Sequence, residues 1–202
     1  MHISEGVLSG PVLLGGAVLA AVGTAVGLRR MDYDRIMTVA MLSAVFFVAS
    51  LIHIPVGPSS VHLLMGGLLG LLLDTACIPA ILVALLLQAV LFQFGGVTVL
   101  GVNTVVMAFP AVIAARLTRP LLGRGPGVRA FGAFACGALA VLLSGLFMAT
   151  ALALVGEAFL KPAGAVLLYH IPIMLIEGLI TMFTFGFLRK VKPEALGLAQ
   201  SV

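Results

Sequence analysis

Residues 36–115 contain a single charged side chain, Asp74. No soluble domain can carry so long a stretch without polar material to cover its surface. Across all 202 residues the charged fraction is 9% and the apolar fraction 62%, where a soluble domain carries about 25% charged residues. The same balance excludes a disordered chain, which needs low hydrophobicity and high charge. In lipid, only helices and closed barrels satisfy their own backbone, and continuous apolar runs mean helices. The predicted class is therefore an all-α, polytopic membrane bundle.

Seven spans are expected, near residues 10–28, 36–52, 61–74, 78–94, 99–115, 131–156 and 164–188, within one domain covering 1–202. The third is short: about 14 residues rise roughly 21 Å, against a hydrocarbon layer of about 30 Å. It is a full span or a partly re-entrant segment, unless 61–94 is one long helix. Charge decides for seven. With seven spans, Arg29, Arg30, Arg35, Arg116, Arg119, Arg124, Arg129, Arg189, Lys190 and Lys192 share one side, and only Lys161 faces the other. Merging the third and fourth spans would split those clusters, against the positive-inside rule. The amino terminus is then outside and the carboxy terminus cytoplasmic, in a cell membrane.

The net charge of +4 therefore reads as orientation within the bilayer, with no nucleic-acid partner. Cys77 and Cys136 lie in or beside apolar segments without a CxxC partner, so no disulfide or zinc site is expected. The start, Met1-His2-Ile3-Ser4-Glu5-Gly6, lacks the basic region of a signal peptide. Met1 should be retained, because His2 is too bulky for its removal. Gly23 with Gly27 and Gly66 with Gly70 have the spacing that lets helices pack closely, within the bundle or against a partner subunit. No useful internal repeat is present, and no GxxxxGK[ST] motif for ATP.

The four histidines fall on one side. His2, His53 and His62 sit at the outer surface or outer helix ends, and His170 lies about two turns into the seventh span from that side. Ionisable groups inside a span are costly and mark sites or polar pathways. A free amino terminus followed by histidine offers three nitrogens. The Met1 amine and His2 amide close a five-membered ring on a metal, and the His2 amide with its own Nδ1 closes a six-membered one. A fourth nitrogen completes a square, which suits Ni(II) or Cu(II) rather than Mg(II) or tetrahedral Zn(II). His62, behind Ser59 and Ser60, is the natural fourth ligand, with His53 and His170 as alternatives.

These histidines belong to an ordered set: Met1-His2-Ile3-Ser4-Glu5-Gly6; His53-x-Pro55-x-Gly57-x-Ser59-Ser60-x-His62-Leu63 with Gly66; Gly95-Gly96-x-Thr98-x-Leu100-Gly101-x-Asn103-Thr104; and His170 followed by Glu177-Gly178. The set resembles the CbiM/NikM family, the substrate-binding S components of energy-coupling-factor importers for nickel and cobalt. The likeness runs from residue 1 to about 180. It implies an extra amino-terminal helix ahead of a six-helix core, and metal ligands at Met1, His2 and His62. Glu5, His53, Ser59, Ser60, Asn103, His170 and Glu177 match family motifs, and around the metal they would orient ligands or close the pocket; Glu5 would cap or tether the leading segment. One departure is Phe94, where many relatives place a histidine before the paired glycines, and this puts a metal-relay role for that loop in doubt.

The resemblance also implies partners: a transmembrane coupling subunit, two ABC-type ATPases and a small accessory membrane subunit. The metal would be cargo, nickel or cobalt (the latter feeding cobalamin synthesis), with no resident cofactor. The chain would be a transport subunit and not an enzyme. A haem-binding redox protein would need histidines facing one another at two depths, and a metalloprotease would need a motif such as HExxH; the sequence supplies neither.

Overall fold

A computed structural model describes residues 2–56 and 59–196, and within 53–61 it describes the backbone. Among the described residues it is built of seven α-helices and one small hairpin. Helix α1 covers Gly10–Arg30, α2 Ile36–Ala49, α3 Gly66–Leu73, α4 Cys77–Phe92, α5 Leu100–Leu122, α6 Pro126–Ala153 and α7 Leu160–Val191. Strands β1 (His53–Val56) and β2 (Ser59–His62) pair antiparallel, with His53 opposite His62. Five stretches are long and apolar enough to cross a membrane: Gly10–Arg30, Gly66–Phe92, Leu100–Leu122, Pro126–Ala153 and Glu157–Val191. The chain is thus a multi-pass helical membrane protein.

The stretch Gly66–Phe92 is not one rod. Asp74 takes φ +48°, a left-handed conformation that breaks the helix, and the two halves run in opposite directions. Descending beside α5, α3 brings Gly66 and Gly70 against Ala111, and Asp74 pairs with Arg116 at 3.1 Å. Helix α4 returns, with Cys77 facing the Ala108 carbonyl and Gln88 reaching the level of Asn103, near the start of α5. The third predicted span, 61–74, is corrected by this path. Only Gly66–Leu73 is helical, a rise of about 12 Å, and the chain ahead of it is strand β2 and the non-helical residues 63–65. All eight residues of α3 are buried. His62 and Leu64, which link β2 to α3, are buried, so the non-helical backbone there is enclosed by protein and not exposed to lipid.

Glycines set the spacing of the helices around this short segment. A Cβ on Gly67 would stand 2.5 Å from the Gly137 Cα in α6, and one on Gly27 would stand 2.6 Å from the Thr75 carbonyl oxygen and from Pro79. At Gly23 it would press on the Phe109 ring at 3.0 Å. Gly66 is different, since its Cβ would meet only ordinary contacts at 3.7–3.9 Å. The close approach is therefore made by Gly67 and Gly70, one register away from the Gly66–Gly70 pairing expected from spacing.

Helix ends carrying Arg30, Arg35, Arg116, Arg129 and Arg189 gather at one end of the bundle. Arg35 donates to the Leu72 and Ala195 carbonyls, and Asp74 meets both Arg116 and Arg119. His2, His62 and the first turn of α5 lie towards the opposite end.

Candidate metal centre

The leading segment does not stay at the surface; it inserts between α4 and α5. Ile3 is fully buried and His2 is 5% exposed. A strand-like segment entering a bundle leaves its N–H and C=O groups without helical partners, and each must be bonded elsewhere. Asn103 does this for Ile3. Its Oδ1 accepts the Ile3 N–H at 3.0 Å and its Nδ2 donates to the Ile3 carbonyl at 3.2 Å, both bonds buried. Further out, the Glu5 N–H donates to the Gly95 carbonyl at 3.2 Å. The Glu5 carboxylate accepts from both the Thr98 N–H and the Thr98 hydroxyl at 2.9 Å. Those two donors hold its pKa below the usual carboxylate range.

Anchored this way, the His2 ring lies beside that of His62, with centroids 4.8 Å apart. His2 Nε2 donates to Gln88 Oε1 at 2.8 Å. Gln88 Nε2 in turn donates to the Phe47 carbonyl at 3.1 Å and to Ser50 Oγ. His62, at the end of β2, donates its Nδ1 proton to the Leu63 carbonyl at 2.8 Å. Its Nε2 is buried and accepts nothing among the described residues. Phe94 closes one wall, its ring centroid 6.1 Å from that of His2 and 5.8 Å from that of Phe92.

Helix α7 supplies two buried polar groups. Glu177, fully buried, accepts the N–H groups of Leu64 at 2.5 Å and Met65 at 2.7 Å. These are the residues between His62 and α3. Met65 takes φ +51° at the start of α3 and has no side-chain oxygen to cap it, so a carboxylate from another helix stands in. His170 is 3% exposed and donates Nδ1 to the Val166 carbonyl at 2.5 Å, and its buried Nε2 has no partner among the described residues.

Of the residues singled out by sequence, the structure brings His2, His62 and Asn103 together, ties Glu177 to the backbone just after His62, sets Glu5 at the rim, and buries His170 in α7. Met1 lies outside the described residues, as do the side chains of His53, Ser59 and Ser60. Two participants were not foreseen, Gln88 and Ser50. Gln88 is the one amide in α4, and a polar side chain that is fully buried inside an apolar helix demands a partner. No cluster of three or more His, Cys, Asp or Glu side chains forms among the described residues.

Two buried imidazoles side by side, with Gln88 and Asn103 around them, towards one end of an apolar multi-pass bundle, are a donor set of the kind a membrane protein for a small cation would carry. The family description "Cobalt uptake substrate-specific transmembrane region", CbiM, matches residues 2–195, and the chain belongs to that family. A protein of Haemophilus influenzae named for metal transport is 43% identical, over all of this chain and 99% of its own length. The fused nickel transport protein NikMN of Rhodobacter capsulatus is 35% identical over 63% of this chain, which spans 39% of that larger protein. A crystal structure of a transition metal transporter shares the fold with TM-score 0.79 and 24% identity, over 98% of this chain and 97% of that one. The chain is thus a transmembrane member of a metal-uptake family whose description names cobalt.

Proposed function

We propose that the chain is the S component of an ATP-driven energy-coupling-factor importer and binds Ni(II) or Co(II) from the extracytoplasmic side. The metal is cargo. Its ligands are the Met1 amine, the His2 amide and Nδ1, and the Nε2 of His62. The observation that carries the reading is the buried pairing of His2 with His62 at 4.8 Å between ring centroids, with Asn103 holding the next residue of the same segment in both hydrogen-bonding directions.

Four nitrogens in one plane favour low-spin Ni(II), and Co(II) enters the same square less comfortably. The family description names cobalt, so cobalt uptake for cobalamin synthesis is the second reading of the same site. Copper binds such a square more tightly still, so selectivity over it rests on availability or on partner subunits.

Ten of the eleven basic residues lie at the end remote from His2, which supports seven crossings with that end in the cytoplasm. There the chain docks on a transmembrane coupling subunit with two ATPases, and an accessory membrane subunit completes the complex. ATP hydrolysis belongs to those partners, and transport follows from reorientation of the loaded subunit.

The test is titration of the purified protein with Ni(II) and Co(II), beside His62→Ala. Nickel should produce the absorption of a planar nitrogen site, and His62→Ala should weaken binding at least about tenfold. Unchanged binding in His62→Ala would reassign the fourth ligand. A Soret band in the purified protein would replace the reading with a haem protein.

A further inference from the structure

Chelation by His2 depends on which of its ring nitrogens carries the proton. A six-membered ring through the His2 amide can close only on Nδ1, so that nitrogen must keep its lone pair. A neutral imidazole has one N–H, and the surroundings choose between the two tautomers.

The choice is dictated from α2. The carbonyls of Phe46 and Phe47 stand at the end of that helix, and carbonyl oxygens only accept. Ser50 Oγ lies 2.7 Å from the Phe46 oxygen and 3.1 Å from that of Phe47, so its single proton is committed to a carbonyl and its oxygen can only accept from Gln88. Gln88 Nε2 meets the Phe47 carbonyl as well, at 3.1 Å. Both neighbours of that end of the amide are therefore acceptors, which fixes the amide nitrogen there and turns Oε1 towards His2. A carbonyl oxygen facing His2 Nε2 at 2.8 Å requires a proton on Nε2. His62 is set the opposite way, because its Nδ1 proton goes to the Leu63 carbonyl and Nε2 is left to face the pocket.

We infer that Gln88, aligned by Ser50 and the Phe46 and Phe47 carbonyls, is a positioning residue that selects the Nε2–H tautomer of His2 and so presents Nδ1 to the incoming metal. The metal half of this statement rests on the function proposed above, whereas the tautomer half is a property of the metal-free protein. Gln88 is fully buried in the same pocket but touches no metal in this scheme. Its effect passes entirely through the ring it holds.

The experiment is nitrogen-15 NMR of the full-length protein with labelled histidine, free of metal and above the pH at which histidine protonates. Resonances are assigned by substituting His53, His62 and His170 one at a time, which leaves His2 in place. His2 should show the Nε2–H pattern, while His62 and His170 show Nδ1–H and serve as internal references. In Gln88→Met, matched in length but without the acceptor, the His2 signal should move towards a mixture of tautomers. Ni(II) affinity should fall about 10- to 100-fold, the usual cost of losing a group that orients a ligand. Ser50→Ala should do the same to a smaller degree.

An Nδ1–H pattern for His2 in the unsubstituted protein overturns the inference without any variant. So does a Gln88→Met protein that keeps both tautomer and affinity. If the unsubstituted protein shows Nε2–H, and Gln88→Met shifts it, but Ni(II) and Co(II) do not bind, the proposed function fails and the assignment to Gln88 stands.

Discussion

Glu177 lies on α7, yet its carboxylate holds the backbone of Leu64, two residues beyond His62. Through that contact one helix fixes the place where an extended strand becomes the short α3. The buried N–H groups of Leu64 and Met65 have no helical carbonyl to reach, and Glu177 takes both.

Removing that carboxylate should therefore cost stability and affinity together. Hydrogen bonds to charged groups contribute about 1.5–3 kcal/mol each, so Glu177→Ala should lose about 3 kcal/mol or more in denaturation monitored in detergent. Glu177→Gln keeps an acceptor oxygen and should lose less. Ni(II) binding should weaken in both, in the same order, because His62 is tied to the backbone that Glu177 restrains.

Asn103 should behave as a clamp on the leading segment. Asn103→Ala strands the Ile3 N–H and carbonyl in a buried site, at a cost of about 1–3 kcal/mol. Asn103→Asp retains the acceptor for the N–H but sets a carboxylate oxygen against the Ile3 carbonyl, so it should not rescue. Proteolysis near residues 3–8 reports the release directly: both variants should be cut faster than the unsubstituted protein.

Two adjacent glycines should respond in opposite ways. Gly67→Ala drives a methyl group into the Gly137 backbone, which should destabilise by about 1–3 kcal/mol. Gly66→Ala meets only contacts of 3.7–3.9 Å and gains helix propensity, up to about 1 kcal/mol. Thermal melting of the two variants side by side checks the register of α3 against α6.

Acid should loosen the rim before it disturbs the core. The Thr98 bonds lower the Glu5 pKa from 4.5, so the folded state holds its carboxylate more acidic than the unfolded chain does. The stabilisation is present above the unfolded value and is lost as pH falls through the folded one. The protection factor of the Thr98 amide, its exchange rate relative to the intrinsic rate at each pH, should fall over that range, and Glu5→Gln should abolish that pH dependence. Metal affinity should fall at higher pH than this, because protons compete earlier for the amine, the amide and the imidazoles.

Most helices were legible because an apolar run in lipid has little choice: α1 was expected at 10–28 and covers Gly10–Arg30, and α4 was expected at 78–94 and covers Cys77–Phe92. The stretch 59–65 was not legible. Nothing in the run itself marks the break at Met65; the N–H groups of Leu64 and Met65 are taken by Glu177, 113 and 112 positions further along the chain. His2 and His62 could be picked out because imidazoles are rare in such a chain and the motif begins at the first residue. Gln88 carries no motif; it is a lone amide in an apolar helix, and its partners, Ser50 and the Phe47 carbonyl, come from a helix about forty positions earlier in the sequence. Gly66 was misassigned for a related reason. Spacing identifies a small-residue stripe, but the rotation of α3 against α6 decides which glycine meets backbone.

The central claim is that nitrogen from the first two residues grips the metal, and equilibrium Ni(II) binding to the protein with one residue added ahead of Met1 tests it most directly. The extension moves the amine out of the five-membered ring and leaves His2, His62 and the fold in place. Loss of binding at unchanged thermal stability is the predicted result; binding as tight as in the unextended protein would contradict the account.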